Sequence, residues 1–311
     1  MKGRGLLLGV AVVVAVSSLG TTANAGIFGR RAPAAGFSFD VTCDMREFAS
    51  PEYQNNSSYF QGTCEAVRDV GAGEFMVSPG DIDPPRHVYE VIRAVLGDDY
   101  AWYPVVGNHE AETPEDMAWL RDYNPGGLAL PRTVHNGPPG SEETTYSWSF
   151  GNAHFVSINQ YYDGATDAGA DGVVLDELYY WLAWDLSEAE SEHVFVFGHE
   201  PIVAMPDMDN GRVRHQGDSL DQYPRSTARF VNLLRKHNAV YVCGHTHNAT
   251  YGQVNGVWQI DAGHCRGLGD RGARSTFVKM RVAGPRVTAE FYRDDAAGGP
   301  YELVETVIIK E

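Results

Sequence analysis

Apolar residues in this chain gather into short runs that stop abruptly at glycine, and each stop is followed by a side chain able to hold a metal. Val77-Ser78-Pro79-Gly80-Asp81 is one such ending. Trp102 to Val106 runs into Gly107-Asn108-His109-Glu110, Val194 to Phe197 into Gly198-His199, and Ala239 to Cys243 into Gly244-His245-Thr246-His247. Short apolar runs bounded by turn formers read as strands buried on both faces. Phe37 to Cys43, which alternates apolar and polar, and Phe75 to Ser78 complete the early strands. Thr145 to Phe150 and His154 to Ile158 flank Gly151-Asn152 and predict a hairpin.

Between the strands the spacing changes to that of helices. Val88, Ile92, Val95 and Leu96 fall on one face of a helix expected over Arg86 to Leu96. Leu175, Leu178, Leu182 and Leu186 do the same within Asp171 to Leu186. Further helices are expected over Cys64 to Val70, Ser226 to His237, and Pro114 to Tyr123, the last with Thr113 as cap and proline at its first position. Asn124 to Gly140 and Pro201 to Tyr223 read as loops. The tail carries short strands at Val257 to Ile260, Phe277 to Val282, Val287 to Tyr292 and Leu303 to Ile309. Alternating α and β units with flanking hairpins imply a layered α/β domain of two packed sheets with helices outside.

Composition adds a leader and a sign of charge. Lys2 and Arg4 precede an apolar run from Leu6 to Val16, and Ala23-Asn24-Ala25 follows as a small-x-small cleavage site. Residues 1–25 therefore read as a secretory signal peptide, residues 26–35 as a flexible leader, and residues 36–311 as a single domain. The expected location is secreted, periplasmic or otherwise extracytoplasmic, with no membrane contact after signal removal. Loss of Lys2 and Arg4 leaves 22 of the 24 basic residues against 41 acidic ones, a net −19. That balance excludes nucleic acid as a structural partner, because phosphate-backbone binding is driven by Lys and Arg. Cys43, Cys64, Cys243 and Cys265 permit three disulfide pairings or none, and no Cys-x-x-Cys suggests structural zinc.

Asp81, Asn108, His199, His245 and His247, with Asp44 at the end of the first strand, combine hard carboxylate oxygen with imidazole. That donor set suits Zn, Mn or Fe better than Ca or Mg. A pair of such ions can clamp the attacking and leaving oxygens of a displacement at phosphorus.

The ordered set Gly80-Asp81, Gly107-Asn108-His109-Glu110, Gly198-His199 and Gly244-His245-Thr246-His247 resembles the calcineurin-like metallophosphoesterases, including their purple acid phosphatase branch. The resemblance runs from about Phe37 to His264. It implies a four-layer αββα sandwich of two mixed β-sheets flanked by helices, and a dinuclear centre. Asp81 would bridge the ions. Asn108, His199 and His245 would complete one site, and Asp44 with His247 would belong to the other. His109 would act beside the ions on the phosphate or the leaving oxygen. The implied activity is hydrolysis of small phosphate mono- or diesters by a metal-bound hydroxide attacking phosphorus.

This chain departs from the family pattern at two places. The family's first motif reads Asp-x-His, and here it is Asp44-Met45-Arg46. No Tyr stands three residues beyond Asp81 either, so one site is short of a side chain, with Asp83 a candidate replacement. Two ions, one weakly held, are the expectation. Arg46, His264 and Arg266 are candidate substrate contacts. Two other readings remain. One is a degraded metal-binding module of the same fold. The other is a GDSL-type serine esterase built on Gly217-Asp218-Ser219-Leu220 with Ser219 as nucleophile.

Overall fold

The structure is a computed structural model, and it describes residues 36–295 and 298–311. The expected signal peptide and leader lie outside the described residues.

In chain order the first half contains β1 (Phe37–Val41), α1 (Phe60–Val70), β2 (Phe75–Pro79), α2 (Pro85–Leu96) and β3 (Ala101–Val105). It continues with α3 (Asn108–Ala111), α4 (Pro114–Tyr123), β4 (Thr133–Asn136), β5 (Tyr146–Phe150) and β6 (Ala153–Ser157). The second half contains α5 (Asp176–Glu188), β7 (His193–Phe197), α6 (Pro224–Lys236), β8 (Val240–Cys243), β9 (Ala249–Val254) and β10 (Val257–Ala262). It ends with β11 (Thr276–Ala283), β12 (Arg286–Arg293) and β13 (Glu302–Lys310).

The strands form two mixed sheets. One has six strands in the order β13-β12-β11-β1-β2-β3, the other seven in the order β4-β5-β6-β7-β8-β10-β9. β1, β2 and β3 are parallel in the first sheet, and β6, β7, β8 and β10 are parallel in the second.

Alternation along each strand sorts side chains into layers. Phe195 and Phe197 of β7 join Phe39, Phe75, Trp148 and Phe155 in the core between the sheets. Val194 and Val196 point the other way, onto Leu178 and Leu182 of α5 and Phe230 and Leu234 of α6. On the far side of the first sheet, Met76 and Trp102 meet Phe60 and Val67 of α1, Val88 and Ile92 of α2, and Leu120 of α4. The result is an αββα sandwich. Among the described residues no helix is long and apolar enough to cross a membrane.

The differences from the sequence expectation have local causes. α1 starts earlier, at Phe60, because Phe60, Cys64 and Val67 form one buried stripe. α5 starts later, at Asp176. Gly172 is left-handed at φ +55, and Val173 N–H donates to Gln160 O at 2.9 Å instead of entering a helix. Thr113 does sit at the N-cap of α4, but its side chain makes no capping hydrogen bond. β4 lies inside the expected loop Asn124 to Gly140, and β9 was not expected. Both are outermost strands of the second sheet. The four cysteines are buried, free thiols.

Candidate metal centre

The parallel strands of both sheets deliver their following residues to one end of the sandwich, where sites of open α/β sheets form. Asp44 follows β1, Asp81 follows β2, Asn108 follows β3, His199 follows β7 and His245 follows β8. The glycine before a ligand is a spatial requirement at Gly80 and Gly107. A Cβ on Gly80, at φ +87, would lie 2.4 Å from His199 Nδ1. One on Gly107 would lie 2.5 Å from Asp81 Oδ1. Asp44, Asp81, His245 and His247 themselves are left-handed, at φ 55, 51, 71 and 58. Non-glycine residues occupy that region at a cost of about 1–3 kcal/mol each, and functional sites are where such strain collects.

Glu110 fixes the turn that carries Asp81. Its buried carboxylate accepts from the backbone N–H groups of Gly107 at 2.7 Å, Ile82 at 2.8 Å and Asp81 at 3.1 Å. The sequence placed Glu110 in the motif without revealing this role.

Three further candidate donor atoms then gather around His199 Nε2. His199 Nε2 lies 3.2 Å from Asp81 Oδ1, 3.2 Å from Asn108 Oδ1 and 3.2 Å from His245 Nδ1. His199 donates its Nδ1–H to Pro79 O at 2.8 Å, so its Nε2 carries a lone pair. His245 donates Nε2–H to Asp218 O at 3.2 Å, so its Nδ1 does too. Burial depresses both imidazoles, His245 down to about 2, which keeps them neutral. Two oxygens and two nitrogen lone pairs therefore face one another with no proton between them. Such an arrangement suits a cation with mixed N/O ligation.

Asp44, Asp81 and His247 meet beside this cage, with one ligand atom from each within 4.8 Å of the others. Asp44 Oδ2 accepts from His245 N–H at 3.0 Å, while Oδ1 is buried without a hydrogen-bond partner. Burial, followed by the nearby Asp81 carboxylate, pushes the Asp44 carboxyl well above its ordinary range. His247 Nδ1 lies 3.0 Å from Asp270 Oδ2, which leaves Nε2 to face Asp44 Oδ1 at 3.6 Å. Arg266 Nη2 also reaches that Nε2, at 2.8 Å.

The remaining candidates take varied places. His109 stands on the open side, part-exposed, with Nε2 3.7 Å from Asp81 Oδ2. Arg46 Nε donates to Asp83 Oδ1 at 3.1 Å and Nη2 to Oδ2 at 3.3 Å. Asp83, the candidate replacement ligand, is thus held by Arg46. Arg266 is buried and reaches into the centre. His264 is fully buried, with Nε2 donating to Ala273 O at 3.1 Å and Nδ1 accepting from Arg266 N–H at 3.2 Å. Both its nitrogens are used inside the protein, so it orients the Arg266 loop and offers nothing to a substrate.

Ser219 is buried and donates its hydroxyl to His215 O at 3.3 Å. Among the described residues no histidine ring hydrogen-bonds to it, and the serine-esterase reading falls. His215, which no glycine-stopped strand marks in the sequence, lies with its ring 4.0 Å from that of His245. Asp270, Arg212 and Arg214 come to the site from loops with no motif to mark them, and Glu200 comes as the neighbour of His199. Glu200 Oε2 lies 3.5 Å from His245 Nε2.

The calcineurin-like phosphoesterase family matches residues 56–249. No curated protein matches the chain at the sequence level. Among solved structures, the fold is similar to GAP50 of Plasmodium, at TM-score 0.58 and 13% identity over 89% of each chain. It is similar to a purple acid phosphatase from yellow lupin seeds, at TM-score 0.56 and 13% identity over 88% of this chain and 54% of that one. PhoD is similar at TM-score 0.56 and 12% identity, over 89% of this chain and 69% of that one. At these identities the structural likenesses speak for the fold alone. The family match spans well over half of the sequence and includes Asp81, Asn108, His199, His245 and His247, and the chain belongs to the calcineurin-like phosphoesterases.

Proposed function

We propose that this protein is an exported, metal-dependent phosphoesterase acting on small phosphate mono- or diesters. The observation that carries the reading is the cage of Asp81 Oδ1, Asn108 Oδ1, His199 Nε2 and His245 Nδ1, four electron-pair donors with no proton among them. These four side chains would hold an Fe, Mn or Zn ion, which would supply Lewis acidity and lower the pKa of water there. Asp44, Asp81 and His247 offer a second, weaker position. Asp81 reaches both positions, and Glu110 keeps its turn from shifting. His109, beside Asp81 on the open side, is placed to give a proton to the departing oxygen. Arg46 and Arg266 bring fixed positive charge for phosphate oxygens. The signal-peptide pattern supports export, and the acidic surface agrees with a small substrate drawn in locally rather than by long-range attraction.

A second reading has one observation behind it. Arg46 stands where the family has a ligand and is tied to Asp83, as in a module that has lost one ion. GAP50, to which the fold is similar, is described as an anchor in the inner membrane complex of Plasmodium. The test is to strip the protein with chelator, restore Mn, Zn or Fe, and assay an aryl phosphate and an aryl phosphodiester. Turnover that returns with metal is expected. Folded, metal-loaded protein without turnover on either substrate overturns the enzyme and leaves the module.

A further inference from the structure

We propose that Arg266 is the resident cation of the second metal position, so that an ion entering there must displace a guanidinium. The inference rests on the phosphoesterase reading and concerns how the same centre is occupied.

His247 has one lone pair to offer. Its Nδ1 is turned to Asp270 Oδ2 at 3.0 Å, the carboxylate–imidazole pairing that presents Nε2 to a metal. Arg266 Nη2 already occupies that Nε2 at 2.8 Å, while Arg266 Nε donates to Asp44 O at 2.6 Å. The guanidinium therefore bridges the two residues that distinguish the second position from the first.

Arg266 is built in rather than draped over the site. Cys265 N–H donates to Cys43 O at 2.9 Å, which clamps the loop to the end of β1. His264 Nδ1 takes the Arg266 N–H, and the residue itself is buried. Two more guanidiniums touch the same residue, one at its backbone carbonyl and one at its ring. Arg212 Nη2 donates to His247 O at 3.1 Å, and Arg214 Nη1 crowds Nδ1. Asp270 answers both, at 3.3 Å from Arg212 and 3.7 Å from Arg214.

A guanidinium stays charged at any ordinary pH and has no lone pair for a metal. Three of them around one ligand repel a divalent ion, and Arg46 adds no donor where the family has histidine. The first position has no such competitor: among the described residues, no Arg or Lys nitrogen hydrogen-bonds to its four ligand atoms. A phosphate drawn to the first ion would meet the Arg266 charge where a second ion would otherwise share its negative charge.

The test counts ions. Metal-free protein is titrated with Mn(II) alone by calorimetry, and the metal kept after desalting is measured by elemental analysis. The expectation is one retained ion per chain, with a second binding roughly 100-fold more weakly or worse. In Arg266→Met the second ion should bind at least about tenfold more tightly. Two retained ions in the unaltered protein, or a second affinity unmoved or weakened in Arg266→Met, overturns the proposal. Should Arg266→Met fail to fold, Mn(II) electron paramagnetic resonance of the unaltered protein decides. An uncoupled spectrum at two equivalents per chain is expected, and a spin-coupled pair overturns it. Ion counts do not depend on turnover. An inactive one-ion protein would sink the catalytic reading and keep this one, and an active two-ion protein would do the reverse.

Discussion

His199 Nε2 and His245 Nδ1 face each other at 3.2 Å, each with a lone pair and neither with a proton to give. Pro79 O and Asp218 O hold the rings in that orientation from behind. Aligned lone pairs repel, so the fold carries a local cost that a bound cation removes. Metal should therefore stabilise as well as activate. At a free ion concentration of 100 times the dissociation constant the gain is about 2.7 kcal/mol. Melting with chelator and with added Mn, Zn or Fe reads this directly. A melting temperature indifferent to all three metals would count against the cage as an ion site.

His109 projects from the residue next to the ligand Asn108, and its ring stands on the open side of Asp81. His109→Ala should lower kcat by roughly 10²–10⁴ if the ring protonates the leaving oxygen. Metal content should stay near that of the unaltered protein. Lost metal with unchanged turnover per bound ion would instead make His109 a ligand.

Gly80→Ala adds one methyl group and alters no ligand. The new Cβ would sit 2.4 Å from His199 Nδ1, on a backbone at φ +87. Overpacking and left-handed strain together should cost about 2–5 kcal/mol, and His199 should be pushed off the ion. Elemental analysis and a thermal melt check both parts. Metal content equal to that of the parent would show that His199 is not held where the structure puts it.

His264 gives a pH dependence of definite sign. Burial, with Arg266 adding to it, holds its imidazole at about 4 against an ordinary 6.5. The unfolded chain therefore takes up a proton near pH 6.5 that the folded chain refuses until near pH 4. Stability from this group is whole above pH 6.5 and is lost as pH falls from there towards 4, by about 3 kcal/mol in all. Other buried imidazoles slope the same way, so the readout is a difference. Melts from pH 7.5 to 4.5 should fall less steeply for His264→Asn than for the parent. Equal slopes would mean that the buried ring is already protonated, or that the unfolded chain does not release it.

The sequence disclosed the candidate ligands because each sits at a break in a local pattern, an apolar run stopped by glycine. Asp81, Asn108, His199, His245 and His247 could be picked out for that reason, and their order suggested the fold. Arg212, Arg214 and Asp270 carry no such mark, and Arg266, which follows the glycine after β10, showed only as a candidate substrate contact. They reach His247 from two loops, and only folding brings the loops together. The same holds for the Arg46–Asp83 pair, whose members look separately like an odd residue and a spare ligand. β4 and β9 escaped notice for a different reason. As outermost strands they include polar residues and, in β9, a glycine, which blurs the buried-strand pattern.

The left-handed turns at Asp44, Asp81, His245 and His247 set the chain's own conformational preference against its chemistry. At each of these positions glycine would relax the backbone, and removing a carboxylate or an inward-facing lone pair would relieve repulsion as well. A library selected only for heat resistance in chelator should therefore gather replacements at these four sites, and its most durable members would have forfeited the metal centre. A chain that keeps all four residues through such a selection would show that they hold the fold as well as the site.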